Sequence, residues 1–190
     1  MAKESNEGIT VKKKENFSEW YSQVIDKAEI ADLRYNVKGF VVIRSWGAMI
    51  MENMFKIYEA ALRERGHQPV FFPVVIPKKN FEKESDHVKG FSPQVFWLED
   101  ITGEDKLALR PTSETAMYQM YSLWIRSWRD LPFKKYQRAN VYRYETKATR
   151  PLIRSREFYW IEAHDCFETK EEAEKQVQED ILTTEEVMHK

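Results

Sequence analysis

Only one cysteine, Cys166, occurs in the 190 residues, so no intrachain disulfide can form and a reducing compartment is expected. Glycine is equally sparse. Its six copies are dispersed, and neither GxGxxG nor GxxxxGK[ST] appears, which excludes the backbone phosphate cradles of Rossmann and P-loop proteins. The four histidines, His67, His87, His164 and His189, have no metal-ligand spacing with each other or with Cys166, and no zinc site is expected. No Ser-His-Asp or Cys-His nucleophile pair can be argued from spacing. Long hydrophobic runs are missing too: VFFPVVIP at 70–77 is too short to cross a bilayer, and the amino terminus carries no apolar signal-peptide core. A soluble, cytoplasmic protein without membrane contact is expected. Charge of one sign is also lacking, because 30 Lys and Arg face 31 Asp and Glu. A globally basic nucleic-acid binder is excluded, and any site for a polyanion must be local.

What is present suffices for one or at most two compact domains, with 42% hydrophobic and 14% aromatic residues. A charged tail to about Glu15 is expected to be flexible. Apolar residues at 17, 20, 21, 24, 25 and 28 recur at helical spacing. Residues 38–44 read as a short strand. Ser45 then stands as a cap for a helix with Trp46, Met49, Ile50, Met54, Ile57, Tyr58, Ala61 and Leu62 on one side, closed by Gly66. The run at 70–77 reads as a buried strand, with Pro73 placing it at an edge or interface. After a polar, turn-rich stretch at 77–93, residues 95–99 and 106–110 read as strands joined by a Thr-Gly turn. PTSET opens a further helix, whose Met117, Met120, Trp124 and Trp128 form a stripe expected in the core. Thr169 and Glu172 form a capping box for a last helix, apolar at Ala173, Val177 and Ile181. His67, His87 and His189 are expected at the surface.

Chemistry concentrates in RYETKATRPLIRSREFYW at 143–160, which sets five basic side chains and two acids among aromatics. Residues 134–145 and 156–167 both read as strands, and the connection between them is too long for a tight hairpin turn. Side chains alternate across a strand, so Arg143 and Glu145 share one face of the first while Phe158, Trp160, Glu162 and His164 share one face of the second. Aligned, they form a surface bearing a guanidinium, two carboxylates, an imidazole and two rings. A solvated sheet face gains nothing from large rings beside Arg143, and Arg150, Arg154 and Arg156 repel one another without an anion. Arginine's fork suits phosphate and a ring offers a base a stacking platform. A nucleotide is the ligand this pattern suggests, its phosphates toward Arg143 and Arg154 and its base against Phe158.

LALRPTSET (107–115) and DLPFKKYQRANVYRYETKATRPLIRSREFYWIEAHDCF (130–167) resemble the catalytic domain of prolyl-tRNA synthetases of the archaeal and eukaryotic-like type. NFSEWYSQVIDKAEI (16–30) and HVKGFSPQVFW (87–97) resemble the same family. The resemblance implies an α+β fold, the class II aminoacyl-tRNA synthetase core with a mostly antiparallel sheet flanked by helices, over residues 16–190. Residues 45–77 resemble motif 1, which builds a homodimer interface, with Pro73 as its proline; residues 141–164 resemble motif 2. By this similarity Arg143 contacts both the ATP α-phosphate and the proline carboxylate. Glu145 lies near the adenine, Arg154 binds the terminal phosphates, Ser155 belongs to the ATP site, and Phe158 stacks on the base. Thr112 and Glu114 accept hydrogen bonds from the prolyl nitrogen, and Trp160, Glu162 and His164 complete the amino-acid pocket. The implied activity is that of a proline--tRNA ligase using L-proline, ATP with Mg2+ and tRNA(Pro).

The third motif of that family, its further strands and its anticodon-binding domain are not among these residues, so the chain reads as the amino-terminal part of a catalytic domain. A natural end at Lys190 would favour a non-catalytic, synthetase-like binding and dimerisation module. A sibling enzyme for another amino acid fits less well, because Thr112, Glu114 and Trp160 match the proline pattern.

Overall fold

A computed structural model describes residues 8–83, 94–99 and 106–189. Helix α1, Phe17–Lys27, is capped by Asn16, whose side chain accepts from Glu19 N at 3.1 Å. Thr10 already exchanges two 2.8 Å hydrogen bonds with Gln23 of α1, so ordered contacts begin within the stretch expected as a tail. Strands β1 (Ala31–Asp32) and β2 (Val42–Ile43) pair antiparallel and lead into α2, Ser45–Glu64. Its cap is Arg44, without a side-chain hydrogen bond, and Ser45 is the first helical residue rather than the cap expected. Gly47 is required one turn in, because a Cβ there would meet Ile30 O at 2.4 Å. Gly66, at φ +84°, ends the helix as the sequence pattern predicts.

The apolar run after α2 is not one strand. Only β3 (Gln68–Pro69) and β4 (Val75–Pro77) are extended, and Phe71 between them is 87% exposed. Pro69 and Pro73 lack the N–H that a continuous ladder needs. The turn-rich reading gives way to a short helix at its start, α3, Lys78–Lys83. Strand β5, Leu107–Leu109, pairs antiparallel with β4, and Trp97 bridges to Ala108. The Thr102–Gly103 turn lies outside the described residues, as does His87. Ile76, Phe81, Val95 and Ala108 pack together beneath Trp97 and Ala116.

Helix α4, Glu114–Trp124, buries Met117 and Tyr121, but Trp124 is 41% and Trp128 66% exposed, contrary to the expected core stripe. The helix stops at Ile125, which turns extended, so Trp128 falls outside its periodicity in a separate 3-10 turn. The largest element is the antiparallel pair β6 (Phe133–Tyr142) and β7 (Glu157–Cys166), with β3 parallel to the outer side of β6. Helix α5, Lys170–Met188, has the expected capping box at Thr169 and Glu172. Its buried positions are Gln176, Thr183 and Val187, whereas Val177 and Ile181 face solvent. The reason is that α5 meets α2 through polar contacts, Tyr58 Oη with Thr184 Oγ1 at 2.7 Å and Arg65 with Glu186 at 2.5 Å. Among the described residues no helix is long and apolar enough to cross a membrane.

His67 corrects the surface assignment outright. Its side chain is fully buried, Nδ1 lies 3.2 Å from Leu62 O at the end of α2, and Nε2 lies 2.8 Å from Asp165 Oδ2 on β7. Its substitution by alanine would leave the Asp165 carboxylate buried without that partner. The expected cost is about 3 kcal/mol in urea unfolding, and a loss under about 0.5 kcal/mol would show the pair to be passive. His189 is exposed as expected.

Candidate active site

The β6–β7 register decides which side chains share a surface. Val141 lies opposite Phe158, Ala139 opposite Trp160, Gln137 opposite Glu162 and Lys135 opposite His164. Pairing runs past the strand ends, since Arg143 N donates to Arg156 O at 2.9 Å, so Arg143 falls two residues beyond Val141 on the same face. Its guanidinium carbon sits 5.4 Å from the ring centroids of both Phe158 and Trp160. Those two rings meet edge to face at 5.7 Å, giving the cation a wall of π density. Arg143 Nε donates to Pro111 O at 3.1 Å, which ties the guanidinium to the start of α4. Burial lowers the Arg143 pKa while Glu145 and Glu162 raise it. The group remains a cation at physiological pH.

On one side of Arg143 lies a cavity of about 900 Å³. Arg143, Glu145, Arg154, Ser155 and Phe158, the five residues expected around ATP, all line it, facing an apolar wall that includes Ile43, Met54 and Phe55. Glu145 is buried and accepts from Arg154 Nε, and that contact holds its carboxyl below the usual carboxylate range. Arg156 donates through Nε and Nη2 to Glu145 O at 3.2 and 2.9 Å and lies over the Tyr144 ring at 4.5 Å. Arg150 Nη2 reaches Ser18 Oγ. The loop arginines therefore have partners within the protein, and the mutual repulsion inferred from sequence does not by itself demand an anion. Arg154 nonetheless keeps 47% of its side chain exposed.

On the other side of Arg143 is a network centred on Glu162. Ser113 N donates to Glu162 Oε2 at 3.1 Å, Gln137 Nε2 to Oε1 at 2.9 Å, and Thr112 Oγ1 approaches Oε2 at 3.4 Å. His164 Nε2 lies 3.2 Å from the same Oε2. Burial opposes ionisation here, but the bonds from His164, Ser113 and Gln137 outweigh it and lower the Glu162 carboxyl from 4.5 to about 2. Glu114 stands in the first turn of α4, its N–H directed at Thr112 Oγ1 at 3.4 Å. Trp160 Nε1 is buried and has no hydrogen-bond partner among the described residues. Thr112, Glu114, Trp160, Glu162 and His164 lie outside the wall of the cavity, and Arg143, which lines it, also stands over Trp160 beside their network.

Gln137 and Ser113 escaped the sequence reading, although both are almost fully buried and Gln137 Nε2 donates to Ser113 Oγ as well as to Glu162. A signal existed: Gln137 is a polar residue next to Ala139 and Val141 in the odd-numbered stripe that carries Arg143. Arg110 was also missed. Its buried guanidinium spans Asn140 O at 2.8 Å and Phe72 O at 2.7 Å, a clamp on backbone carbonyls. Among the described residues no group of three or more His, Cys, Asp or Glu is placed to hold a metal ion.

A family model described as tRNA synthetase class II core domain (G, H, P, S and T) matches residues 96–190. The chain is 58% identical over 187 residues to the proline--tRNA ligase of Thermofilum pendens, covering 97% of this chain and 39% of that relative. Against the proline--tRNA ligase of Thermococcus kodakarensis the identity is 52%, with coverage of 88% and 36%. Among solved structures, the Giardia lamblia prolyl-tRNA synthetase in complex with prolyl-adenylate superposes with a TM-score of 0.88 at 42% identity, over 92% of this chain and 36% of that one. The Cryptosporidium parvum prolyl-tRNA synthetase complexed with L-proline and AMP gives 0.82 at 36% identity, with coverage of 92% and 34%. The chain thus spans less than two fifths of the length of the curated relatives it matches. With half of its residues matched by that model and nearly all of them aligned to these relatives, the chain belongs to the class II tRNA synthetase core-domain family, within its prolyl-tRNA synthetase branch.

Proposed function

We propose that the protein to which this segment belongs activates L-proline with ATP and transfers the prolyl group to tRNA(Pro). The observation that carries this reading is the position of the Arg143 guanidinium, against Phe158 and Trp160 and between a nucleotide-sized cavity and the Glu162 network. Proline's carboxylate is already an anion and needs no general base. The task is to bring it against a polyphosphate and hold both in line. A carboxylate oxygen forms the new bond to the α-phosphorus, the bond from that phosphorus to the bridging oxygen breaks, and pyrophosphate leaves with the electron pair. Arg143 screens the two reactants from each other and stabilises the charge that builds on the α-phosphoryl oxygens. Arg154 takes the terminal phosphates, Glu145 and Ser155 border the adenine and ribose end, and the base stacks on Phe158. Magnesium would accompany the nucleotide substrate and would offset part of the phosphate charge.

On the amino-acid side, protonated proline offers two N–H donors, which Thr112 Oγ1 and the Glu114 carboxylate accept. Glu162 holds Thr112 and His164 in place, and Trp160 supplies a ring wall whose unpartnered Nε1 is a donor left for a ligand or water. The complexes of the Cryptosporidium enzyme with L-proline and AMP and of the Giardia enzyme with prolyl-adenylate support proline and an adenine nucleotide as the ligands. The same reading makes residues 45–77 motif 1 and the protein a homodimer of the cytoplasm. Trp46 and Met49, each about half exposed or more on α2 and outside the cavity wall, support an interface there.

The test is proline-dependent exchange of pyrophosphate into ATP by the full-length protein, run against a panel of amino acids. Proline should dominate, and alanine should follow with kcat/KM lower by about 10- to 200-fold, because apolar walls discriminate only weakly by size. Absence of exchange, or equal exchange with glycine, histidine, serine or threonine, would overturn the assignment.

A further inference from the structure

The loop that carries Arg154 contains no glycine, and its Leu152 adopts φ +59°, a left-handed conformation that persists only where surroundings impose it. Within the loop, Arg150 and Arg154 exchange backbone hydrogen bonds at 2.7 and 2.8 Å. Glu145, at the base of the loop, accepts from Arg154 and Arg156, and further restraints come from far away in sequence. Tyr21 Oη, on α1, donates to Pro151 O at 2.9 Å, and the neighbouring Ser18 Oγ meets Arg150 Nη2. At the other end of the loop Arg156 N donates to Gly39 O at 2.7 Å. Gly39, at φ +84°, has no room for a side chain, since a Cβ would lie 2.7 Å from Arg156 Cγ and Cδ. Arg154 is thus held between two anchors, one on α1 and one at Gly39 in the connection between β1 and β2.

We infer that α1 is a brace for the nucleotide side of the active site and that Tyr21 is a positioning residue for ATP; this inference rests on the function proposed above. The hydroxyl of Tyr21 fixes the carbonyl three residues before Arg154, and so sets where the Arg154 fork meets a phosphate. The brace is selective between the substrates. Helix α1 donates to Pro151 and accepts from Arg150, whereas the Glu162 network is built from the residues leading into α4, β6 and β7 and, among the described residues, shows no hydrogen bond to α1.

The experiment compares the full-length wild-type protein with Tyr21→Phe, which keeps the ring and removes only the hydroxyl, and with the Ser18→Ala/Tyr21→Phe double variant. In proline-dependent pyrophosphate exchange, KM for ATP should rise about 3- to 10-fold in Tyr21→Phe, the net worth of one hydrogen bond, and further in the double variant. KM for proline should stay within about twofold, with the melting temperature unchanged. Hydrogen–deuterium exchange supplies a readout independent of activity. The Ile153 and Arg154 amides should exchange several-fold faster in both variants, while β6 and β7 amides keep their wild-type rates. Unchanged loop exchange with unchanged KM for ATP overturns the brace, as does a parallel rise in both KM values with a lowered melting temperature. A wild-type protein with no proline-dependent exchange overturns the proposed function instead, and the amide rates still decide whether α1 holds the loop.

Discussion

Replacement of Arg143 by alanine is expected, on the proposed function, to lower kcat/KM for proline-dependent pyrophosphate exchange by about 1,000-fold, equivalent to about 4 kcal/mol of transition-state stabilisation. The size follows from the double duty of one guanidinium. Under the proposed function it would separate two anions in the ground state and would meet the charge that grows on the α-phosphoryl oxygens as the bond to pyrophosphate breaks. Because the site is half buried, a water molecule in its place screens poorly. Arg143→Lys keeps a charge but loses the planar fork and part of the contact with Phe158 and Trp160, so its loss should be smaller, about 10- to 100-fold. The measurement is steady-state exchange at saturating and limiting ATP with circular dichroism as a fold control. Activity within threefold of wild type in the alanine variant would remove Arg143 from the reaction.

The second large effect is expected at Glu162, which touches neither reacting atom but holds Thr112, Ser113, Gln137 and His164 at once. Glu162→Gln replaces a pure acceptor with a group that must also donate, toward neighbours that are themselves donors. The network then loses at least one bond. A fall of about 100-fold in kcat/KM for proline is expected, with KM for ATP little changed. Stability carries a pH signature. The Glu162 carboxyl is lowered from 4.5 to about 2, so its contribution is fully present above pH 4.5 and is lost as pH falls toward 2. The full difference amounts to about 3 kcal/mol, of which about 2 kcal/mol disappears between pH 6 and pH 3. Urea unfolding at those two pH values should show the wild type losing about 2 kcal/mol more than Glu162→Gln. Equal losses would mean that the carboxylate is not held by these bonds.

How far such expectations were open to reading depends on the element. The period-two alternation of 134–145 and 156–167 is a local geometric consequence of extended backbone, and it placed Arg143 on the side of Phe158 and Trp160, where the register puts it. Helical spacing likewise located α1, α2, α4 and α5, and the Thr169–Glu172 box is a contact between residues three apart. Burial was less legible. Trp124 and Trp128 look like core by composition, yet the helix ends between them and Tyr121 takes the interior position, edge to face with Phe133 at 5.0 Å. His67 looked like a surface residue, because its partner Asp165 is 98 positions away.

From sequence alone came the face on which the reactive side chains stand, the extent of most helices and the absence of any backbone phosphate cradle, all properties of spacing within one element or of residue type. Tertiary structure decided who answers whom: that Glu145 takes Arg154, that Glu162 gathers donors from α4 and β6, that α1 reaches the tip of the arginine loop. The division has a physical cause. Chain stereochemistry repeats every two or 3.6 residues whatever lies beyond, whereas a hydrogen-bond partner is chosen by the packing of segments whose separation along the chain carries no periodic trace.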